Sequence, residues 1–284
     1  MKLVKRIEIL FLCVISSLTG FSQTKPVYQD ATRPMEERIE DALSRMTVEE
    51  KVRLLHANGG YRSWGVPRLG IPDNNPTDGP VGLRPEMEWS NWNNAHANND
   101  SCTAFPSTIC LAATWNPEMG VLFGKAYSEE ALYRNKNIIL GPGVNIFRTP
   151  MNGRNFEYMG EDPYLASKMG VSYIQGVQSN HVAACVKHFA VNNQETNRNS
   201  INTLVDERAL HEIYLPAFKA AVQEGKVWTV MGAYNQYNGQ HCCHNKYLLE
   251  DILRKEWGFD GVLLSDFGGT HNTEEAIFNG LDLE

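Results

Sequence analysis

Four short apolar runs in this sequence each lead into polar side chains that could take part in chemistry. The clearest run ends at Leu264, because Ser265 and the carboxylate of Asp266 follow it and a glycine pair comes next. An Asp in this position can also cap a helix or shape a turn, so the interpretation depends on the other three runs. The polar groups that follow the four runs are Arg148, Lys187-His188, Tyr234-Asn235 and Asp266.

The types of these side chains favour a polyhydroxylated ligand such as a sugar. Each sugar hydroxyl needs both a donor and an acceptor, and the sequence supplies cations, amides and carboxylates near these positions. An Asp beside Lys and Arg side chains should be held ionised, as a nucleophile or a stabiliser of an oxocarbenium ion must be. Further candidates for binding a polar ligand are Asp78, Arg84, Arg154, Asn192-Asn193-Gln194 and Arg198.

The elements that must position these residues alternate between helix and strand. Such a series predicts an α/β fold with a parallel sheet, either doubly wound or closed as a (β/α)8 TIM-type barrel, whose active site lies at the C-terminal ends of the strands. No nucleotide-binding or phosphate-binding glycine motif follows a strand, which disfavours a nucleotide-binding sheet. Helices are predicted at 117–133, 163–178, 207–222, 246–257 and 273–278. Strands are predicted at 138–140, 182–186, 227–231 and 262–264.

Local patterns in the first hundred residues predict helices and then a long loop. Pro34 opens one helical stretch, and the pattern from Thr47 to Glu50 is typical of a capping box at the start of another. The stretch 59–100 is rich in Gly, Pro, Asn and Trp, which favours a loop with functional content.

Lys187 and His188 are neighbours, and neighbouring side chains of a regular strand point to opposite faces. If both side chains serve one pocket, the backbone there must be irregular. We therefore predict an unusual peptide geometry between Lys187 and His188.

The composition is that of an ordinary globular protein, and the N-terminus predicts export. The chain has 284 residues, of which 42% are hydrophobic, and its net charge is −7, so it is a poor candidate for binding nucleic acid or an anionic membrane. Residues 1–22 have a basic start, a short apolar run and small residues at the end. This pattern predicts a signal peptide cleaved after Ser22 and a periplasmic or secreted protein.

Five cysteines remain after the predicted cleavage, and an oxidising compartment permits disulfides. The odd number leaves at least one thiol without a partner in the chain. The contiguous stretch His241–His244 cannot wrap one tetrahedral ion without strain, so a disulfide or burial is expected for its cysteines. No metal and no cofactor is predicted.

Several motifs, in this order, resemble those of the family 3 glycoside hydrolases. They are Thr77–Arg84, Gly153–Glu157, Gly160–Pro163, Lys187–Phe189, Asn193–Arg198 and Ser265-Asp266. The resemblance implies an N-terminal (β/α)8-type barrel, an α/β sandwich domain after it, and a retaining, exo-acting β-glucosidase-like activity on terminal β-D-glucosyl residues. The Thr-Asp-Gly-Pro sequence is similar to that of glucosidase-type members.

The resemblance also implies a role for each matching residue. Asp266 resembles the catalytic nucleophile, which forms a covalent glycosyl-enzyme. Asp78 resembles the carboxylate that grips sugar hydroxyls far from the anomeric carbon, and Tyr234 could orient the nucleophile. The other residues expected to bind the same sugar are Arg84, Arg154, Lys187, His188, Arg198 and Met231.

The sequence departs from the family pattern in places. Phe267 stands where many members have Trp, and Phe189-Ala190-Val191 differs from the N-acetylglucosaminidase branch, which is therefore disfavoured. The chain stops at Glu284, where the resemblance implies an incomplete barrel domain at 23–284 and an absent second domain. Because that domain supplies the acid/base Glu in this branch, no acid/base is assigned, and we expect this piece alone to be unstable or nearly inactive.

Other functions remain open from the sequence. The chain could be a sugar-binding protein that has lost the chemistry, or it could prefer β-xylosides. An aldolase that uses Lys187 as a Schiff base has weak support, because no phosphate-binding loop is evident. The expected partner is a β-linked oligosaccharide or glycoside; the sequence gives neither its linkage and aglycone nor the oligomeric state.

Overall fold

The computed structural model describes residues 25–59, 62–84 and 101–284. The chain divides into two compact units, Met1–Lys51 and Val52–Glu284. The predicted signal peptide lies outside the described residues, as does most of the second half of the predicted loop at 59–100.

The first unit is helical. A 3-10 turn at Val27–Gln29 precedes helix α1, Met35–Arg45, and helix α2 spans Val48–Arg53. The Thr47 N–H donates to the Glu50 carboxylate at 2.9 Å, and the Glu50 N–H donates to the Thr47 hydroxyl at 3.2 Å. These reciprocal bonds confirm the predicted capping box.

The second unit contains the alternating elements. Its strands are β1 (Pro76–Asp78), β2 (Ile138–Leu140), β3 (Ala183–Phe189), β4 (Asn202–Thr203), β5 (Thr229–Gly232), β6 (Gln236–Tyr237), β7 (Gln240–His241) and β8 (Val262–Leu264). Its helices are α3 (Thr108–Ala112), α4 (Pro117–Tyr133), α5 (Pro163–Gln178), α6 (Glu207–Ala209), α7 (Pro216–Gln223) and α8 (Thr273–Phe278). Two segments are π-helical, Leu210–Tyr214 and Tyr247–Glu256, and 3-10 turns lie at Pro67–Leu69, Asn155–Glu157 and Cys242–His244.

Five strands form one parallel sheet in the order β1-β2-β3-β5-β8. The register pairs Asp78 with Leu140 and Met231 with Leu264, so the C-terminal ends of the strands lie at one edge. Leu264 also pairs with Leu283 in an isolated parallel bridge beyond β8. The parallel sheet and its connecting helices confirm the predicted α/β class.

Alternate strand residues face opposite sides of the sheet. One set belongs to the large core between sheet and helices and includes Ile139, Val186, Val230 and Leu263. The other set forms a small separate cluster of Leu140, Cys185 and Met231, with Ile138 and Leu264 packed against it.

The chain makes strands where none was predicted. β1 lies in the stretch interpreted as loop, and it has no apolar run, since its three residues are Pro, Thr and Asp. It becomes a strand by pairing with β2. Strands β4, β6 and β7, of two residues each, form a second sheet that the sequence did not predict either.

The prediction of one continuous helix at 207–222 was wrong. Helix α6 leads into the π-helical segment, where the Leu215 N–H donates to the Leu210 carbonyl, and α7 then begins at Pro216. Proline has no N–H to continue the ladder, which accounts for the break. The predicted helix at 246–257 is the second π-helical segment.

Helices α4 and α5 pack closely because glycines lie at their contact. A Cβ added to Gly176 would lie 2.3 Å from the Val121 carbonyl oxygen, and one added to Gly124 would lie 2.5 Å from the Tyr173 carbonyl oxygen. No side chain fits at either position without moving a helix.

Within the described ranges, Cys110, Cys185, Cys242 and Cys243 are free thiols. The sequence left open whether the cysteines of the stretch His241–His244 form a disulfide or are buried. Cys242 and Cys243 are buried. Among the same residues, no His, Cys, Asp and Glu side chains are grouped so as to hold a metal ion, and none of the helices is both long and apolar enough to cross a membrane.

Candidate active site

Residues at the C-terminal ends of four strands meet in one polar pocket of about 670 Å³, its open mouth included. Asp78 ends β1, and Met231 lies in β5. Lys187 and His188 lie near the end of β3. Asp266 follows β8 by two residues and is only 5% exposed. The pocket residues that loops contribute are Arg154, Phe156, Glu157, Glu195, Arg198, Tyr234 and Phe267.

The backbone is irregular at the Lys187-His188 step. This peptide bond is cis, and the pairing of β3 with β5 shifts register between Val186 and Phe189. Both side chains line the pocket, so the predicted unusual geometry is confirmed.

Lys187 is a buried cation that faces two carboxylates of the pocket. Its Nζ donates to Asp78 Oδ1 at 3.0 Å and lies 3.9 Å from Glu157 Oε2. Burial disfavours the ammonium, but Asp78 and Glu157 outweigh it and raise the pKa of Lys187. Burial likewise opposes ionisation of Asp78, yet Lys187, Arg154 and the Gly79 N–H together outweigh burial and lower the pKa of this carboxyl. Asp78 therefore behaves as expected of an Asp beside a lysine.

His188 is held between Arg154 and Tyr158. Arg154 Nη2 lies 2.8 Å from His188 Nε2, and the Tyr158 hydroxyl lies 3.2 Å from His188 Nδ1. A guanidinium has only donors, so Nε2 accepts and the ring proton is on Nδ1. Burial, Arg154 and Lys187 lower the pKa of His188 well below its usual value, which keeps the ring neutral.

Asp266 presents one uncommitted oxygen to the pocket. Its Oδ1 accepts the Phe267 N–H at 2.9 Å. Its Oδ2 is buried without a hydrogen-bond partner among the described residues and lies 3.6 Å from His188 Nε2. Burial raises the pKa of Asp266, since Lys187 and Arg154 oppose it only in part. The neighbouring cations therefore favour the ionised carboxylate less at Asp266 than at Asp78.

Arg198 and Tyr234 lie together at one side of the pocket. The Arg198 guanidinium lies 4.4 Å from the centroid of the Tyr234 ring and donates to Glu195 Oε2 at 2.7 Å. Burial and the neighbouring Asp266 raise the pKa of the Tyr234 hydroxyl. The phenol therefore stays protonated and can donate a hydrogen bond to Asp266 or to a ligand.

Of the residues to which the family resemblance assigned a role, the structure brings all together in this pocket except Arg84. Arg84 Nη1 lies 3.8 Å from Asp78 Oδ2, but its side chain is 42% exposed and does not line the pocket. The turn between these residues includes Gly79 and Gly82, both with positive φ.

Other candidates also have different surroundings from those expected. Arg148 lies over the Tyr214 ring, 5.8 Å from its centroid, and outside the pocket, as do the amides at 192–194. The Asn193 amide instead donates to the Ile146 carbonyl at 2.5 Å.

Phe156, Glu157 and Glu195 also line the pocket, although no role was predicted for them. They lie on loops, where no hydrophobic period fixes the direction of a side chain. Their position inside motifs next to Arg154 and Arg198 was the only available signal.

Comparison with known proteins decides the family. Residues 95–278, more than half of the chain, match the profile of the glycosyl hydrolase family 3 N-terminal domain. The chain belongs to glycosyl hydrolase family 3. The match confirms the family resemblance that the motifs carried.

Named family 3 proteins are similar over most of this chain. A protein of Bacteroides ovatus named beta-glucosidase BoGH3A is 57% identical over 98% of this chain and 38% of its own length. A protein of Bifidobacterium longum named exo-alpha-(1->6)-L-arabinopyranosidase is 42% identical over 88% of this chain and 33% of its own.

A solved family 3 structure supports the fold directly. Beta-glucosidase 3B from Thermotoga neapolitana, in complex with glucose, is 44% identical, with a TM-score of 0.80 over 86% of this chain and 36% of that one. This similarity confirms the barrel-type α/β fold. The chain spans between about a third and two fifths of the length of these three proteins.

Proposed function

We propose that this family 3 chain carries the catalytic pocket of a retaining, exo-acting β-glycosidase, with Asp266 as the nucleophile. The observation that carries the proposal is the uncommitted Oδ2 of Asp266, which is buried in a pocket lined mainly by hydrogen-bond donors and acceptors. Asp78 and Lys187, already paired at 3.0 Å, offer an acceptor and a donor for vicinal hydroxyls of a sugar ring.

The proposed reaction has two displacements. Oδ2 attacks the anomeric carbon, the bond from that carbon to the aglycone oxygen breaks, and the electron pair leaves with that oxygen. The product is a glycosyl ester of Asp266, which water hydrolyses to release the sugar and the free carboxylate. A second carboxyl group must protonate the leaving oxygen and deprotonate the water; we assign it to none of the described residues.

The proposed substrate is a glycoside with a terminal β-D-glucosyl residue. Two of the similar proteins are named beta-glucosidases, and one of these was solved in complex with glucose. A third is named an arabinopyranosidase, so the alternative glycones to measure are β-D-xylosides and α-L-arabinopyranosides. A pocket that binds sugars without chemistry is the alternative that the experiment below also tests.

Trapping of the covalent intermediate tests the nucleophile. A 2-deoxy-2-fluoro-β-D-glucosyl fluoride needs little acid assistance, because its leaving group is already activated. We expect mass spectrometry to find one fluoroglucosyl group on the peptide that contains Asp266, and none after Asp266→Asn. The matched control is Asp260→Asn, which changes an exposed Asp of the same region and should leave labelling intact. Glucose binding without any label would favour the non-catalytic alternative.

A further inference from the structure

Glu157 is a buried carboxylate that has no role in the two displacements of the proposed reaction. It ends the 3-10 turn Asn155–Glu157 and is 4% exposed. Its Oε1 accepts from Arg154 Nε, and its Oε2 lies 3.9 Å from Lys187 Nζ. Both oxygens therefore face cations, and neither is placed to pass a proton to a glycosidic oxygen.

The contact with Glu157 fixes the orientation of the Arg154 guanidinium. With Nε on Glu157, the planar group directs Nη2 to His188 Nε2 at 2.8 Å. The neighbouring Nη1 lies 3.9 Å from Glu195 Oε1, too far for a direct hydrogen bond. Arg154 thus contacts Glu157 through Nε and His188 through Nη2.

This donor decides where the proton of His188 lies. A neutral imidazole has one N–H and one acceptor nitrogen. Because Nε2 accepts from Arg154, the proton must be on Nδ1, where the Tyr158 hydroxyl, 3.2 Å away, can accept it. Without Arg154 the proton could move to Nε2, which lies 3.6 Å from Asp266 Oδ2. An Nε2–H there needs to approach by only a few tenths of an ångström to donate to the oxygen that must attack the sugar.

We propose that Glu157 is a positioning residue: through Arg154 it holds the proton of His188 on Nδ1 and so leaves Oδ2 of Asp266 free. The consequence for reactivity rests on the proposed function of Asp266, whereas the tautomer of His188 does not. A hydrogen bond from His188 to the attacking carboxylate should slow the first displacement by about 10- to 100-fold, the usual worth of a bond to a charged group.

The tautomer can be measured by nitrogen NMR of the imidazoles in the 15N-histidine-labelled protein, with the His188 signals assigned by their loss in His188→Gln. We expect a protonated Nδ1 and an unprotonated Nε2 in the wild type. Glu157→Met removes both acceptor oxygens at similar length and should move the proton to Nε2. The matched control, Glu161→Met, changes an exposed Glu that does not line the pocket and should leave the His188 signals unchanged.

The rate of labelling at saturating fluoroglucosyl fluoride gives the second readout. The proposal expects Glu157→Met to combine the changed tautomer with labelling about 10- to 100-fold slower. An Nε2–H in the wild type, or slow labelling with an unchanged tautomer, would overturn it. If Glu157→Met does not fold, Arg154→Met removes the Nη2 donor directly, and a proton that stays on Nδ1 there overturns the proposal too. If the wild type takes up no label, the proposed function fails. The tautomer of His188 in Glu157→Met still shows whether Glu157 positions His188.

Discussion

Lys187 carries much of the charge balance of the pocket, because it acts, together with Arg154, on both of the aspartates that the proposed reaction uses. It lowers the pKa of Asp78, which it contacts at 3.0 Å, and it also pulls down the pKa of Asp266, which burial nevertheless raises. The two carboxyls therefore depart from their usual pKa in opposite directions.

The raised pKa of Asp266 predicts an acid limit on its labelling. The attacking group is the carboxylate, so kcat/KM for labelling should fall as the pH drops through a midpoint above 3.8, the usual value for Asp. Lys187→Met removes a cation that lowers this pKa, and we expect the midpoint to move further up. The measurement is the pH profile of labelling in the two proteins. A midpoint that moves down in Lys187→Met contradicts the assignment.

The lowered pKa of Asp78 predicts a dependence of stability on pH. The pKa of Asp78 is lower in the folded state than in the unfolded state, so the ionised carboxylate stabilises the fold above pH 3.8. This stabilisation is lost as the pH falls through the folded-state pKa. Because the side chain is one-third exposed, Asp78→Asn should cost only about 1 kcal/mol at pH 7. Urea unfolding at pH 7 and at pH 3 measures the difference, which should shrink at the lower pH. The control is Asp260→Asn, and an equal loss at both pH values would count against the ion pair.

At the scale of elements, sequence patterns predicted the regular pieces well. The helices Pro117–Tyr133 and Pro163–Gln178 and the strands Ile138–Leu140 and Val262–Leu264 have the predicted bounds, because each combines a clear hydrophobic pattern with Pro, Gly or Asn at its ends. β1 could not be predicted, since its pairing with β2 depends on the folded neighbour and not on its own residues.

The residues of the site likewise divide into those that a sequence pattern predicts and those that it does not. Asp266 and Lys187 directly follow or end apolar runs, so their meeting at one edge of a parallel sheet could be inferred. The contacts of Glu157 with Arg154 and Lys187 depend on how a loop folds over that edge, and no periodic pattern encodes this.

The close contact of α4 and α5 can be tested within one helix. Gly176→Ala would place a Cβ 2.3 Å from the backbone carbonyl of Val121, so we expect a loss of about 1–3 kcal/mol in the free energy of unfolding. Gly170→Ala is the control on the same helix, because its Cβ would lie 3.2 Å from a side-chain methyl of Val144 and would not approach a backbone atom. It should be near neutral, since alanine also favours the helix. Equal effects in urea unfolding would mean that helix propensity, and not the contact, decides.

At the scale of the whole molecule, we propose that the protein is exported. The first 22 residues carry the basic, apolar and small-residue segments of a signal peptide, and the rest of the chain is acidic. We expect protein recovered from the periplasm or medium to begin at Gln23. Fusing residues 1–22 to a reporter gives an independent test, with a fusion in which Leu10 and Leu12 are replaced by Asp as its control. A reporter that stays in the cytoplasm in both fusions contradicts export.

The alternation of side chains along the sheet also bears on how this pocket could change over evolutionary time. Ile139, Val230 and Leu263 anchor the layer beneath the helices, whereas Asp78 and Asp266 lie at or just past the strand ends. Replacing a residue at or just past a strand end leaves the buried layer intact. Under the proposed function, mutations at these strand ends can change the sugar preference with little damage to the fold.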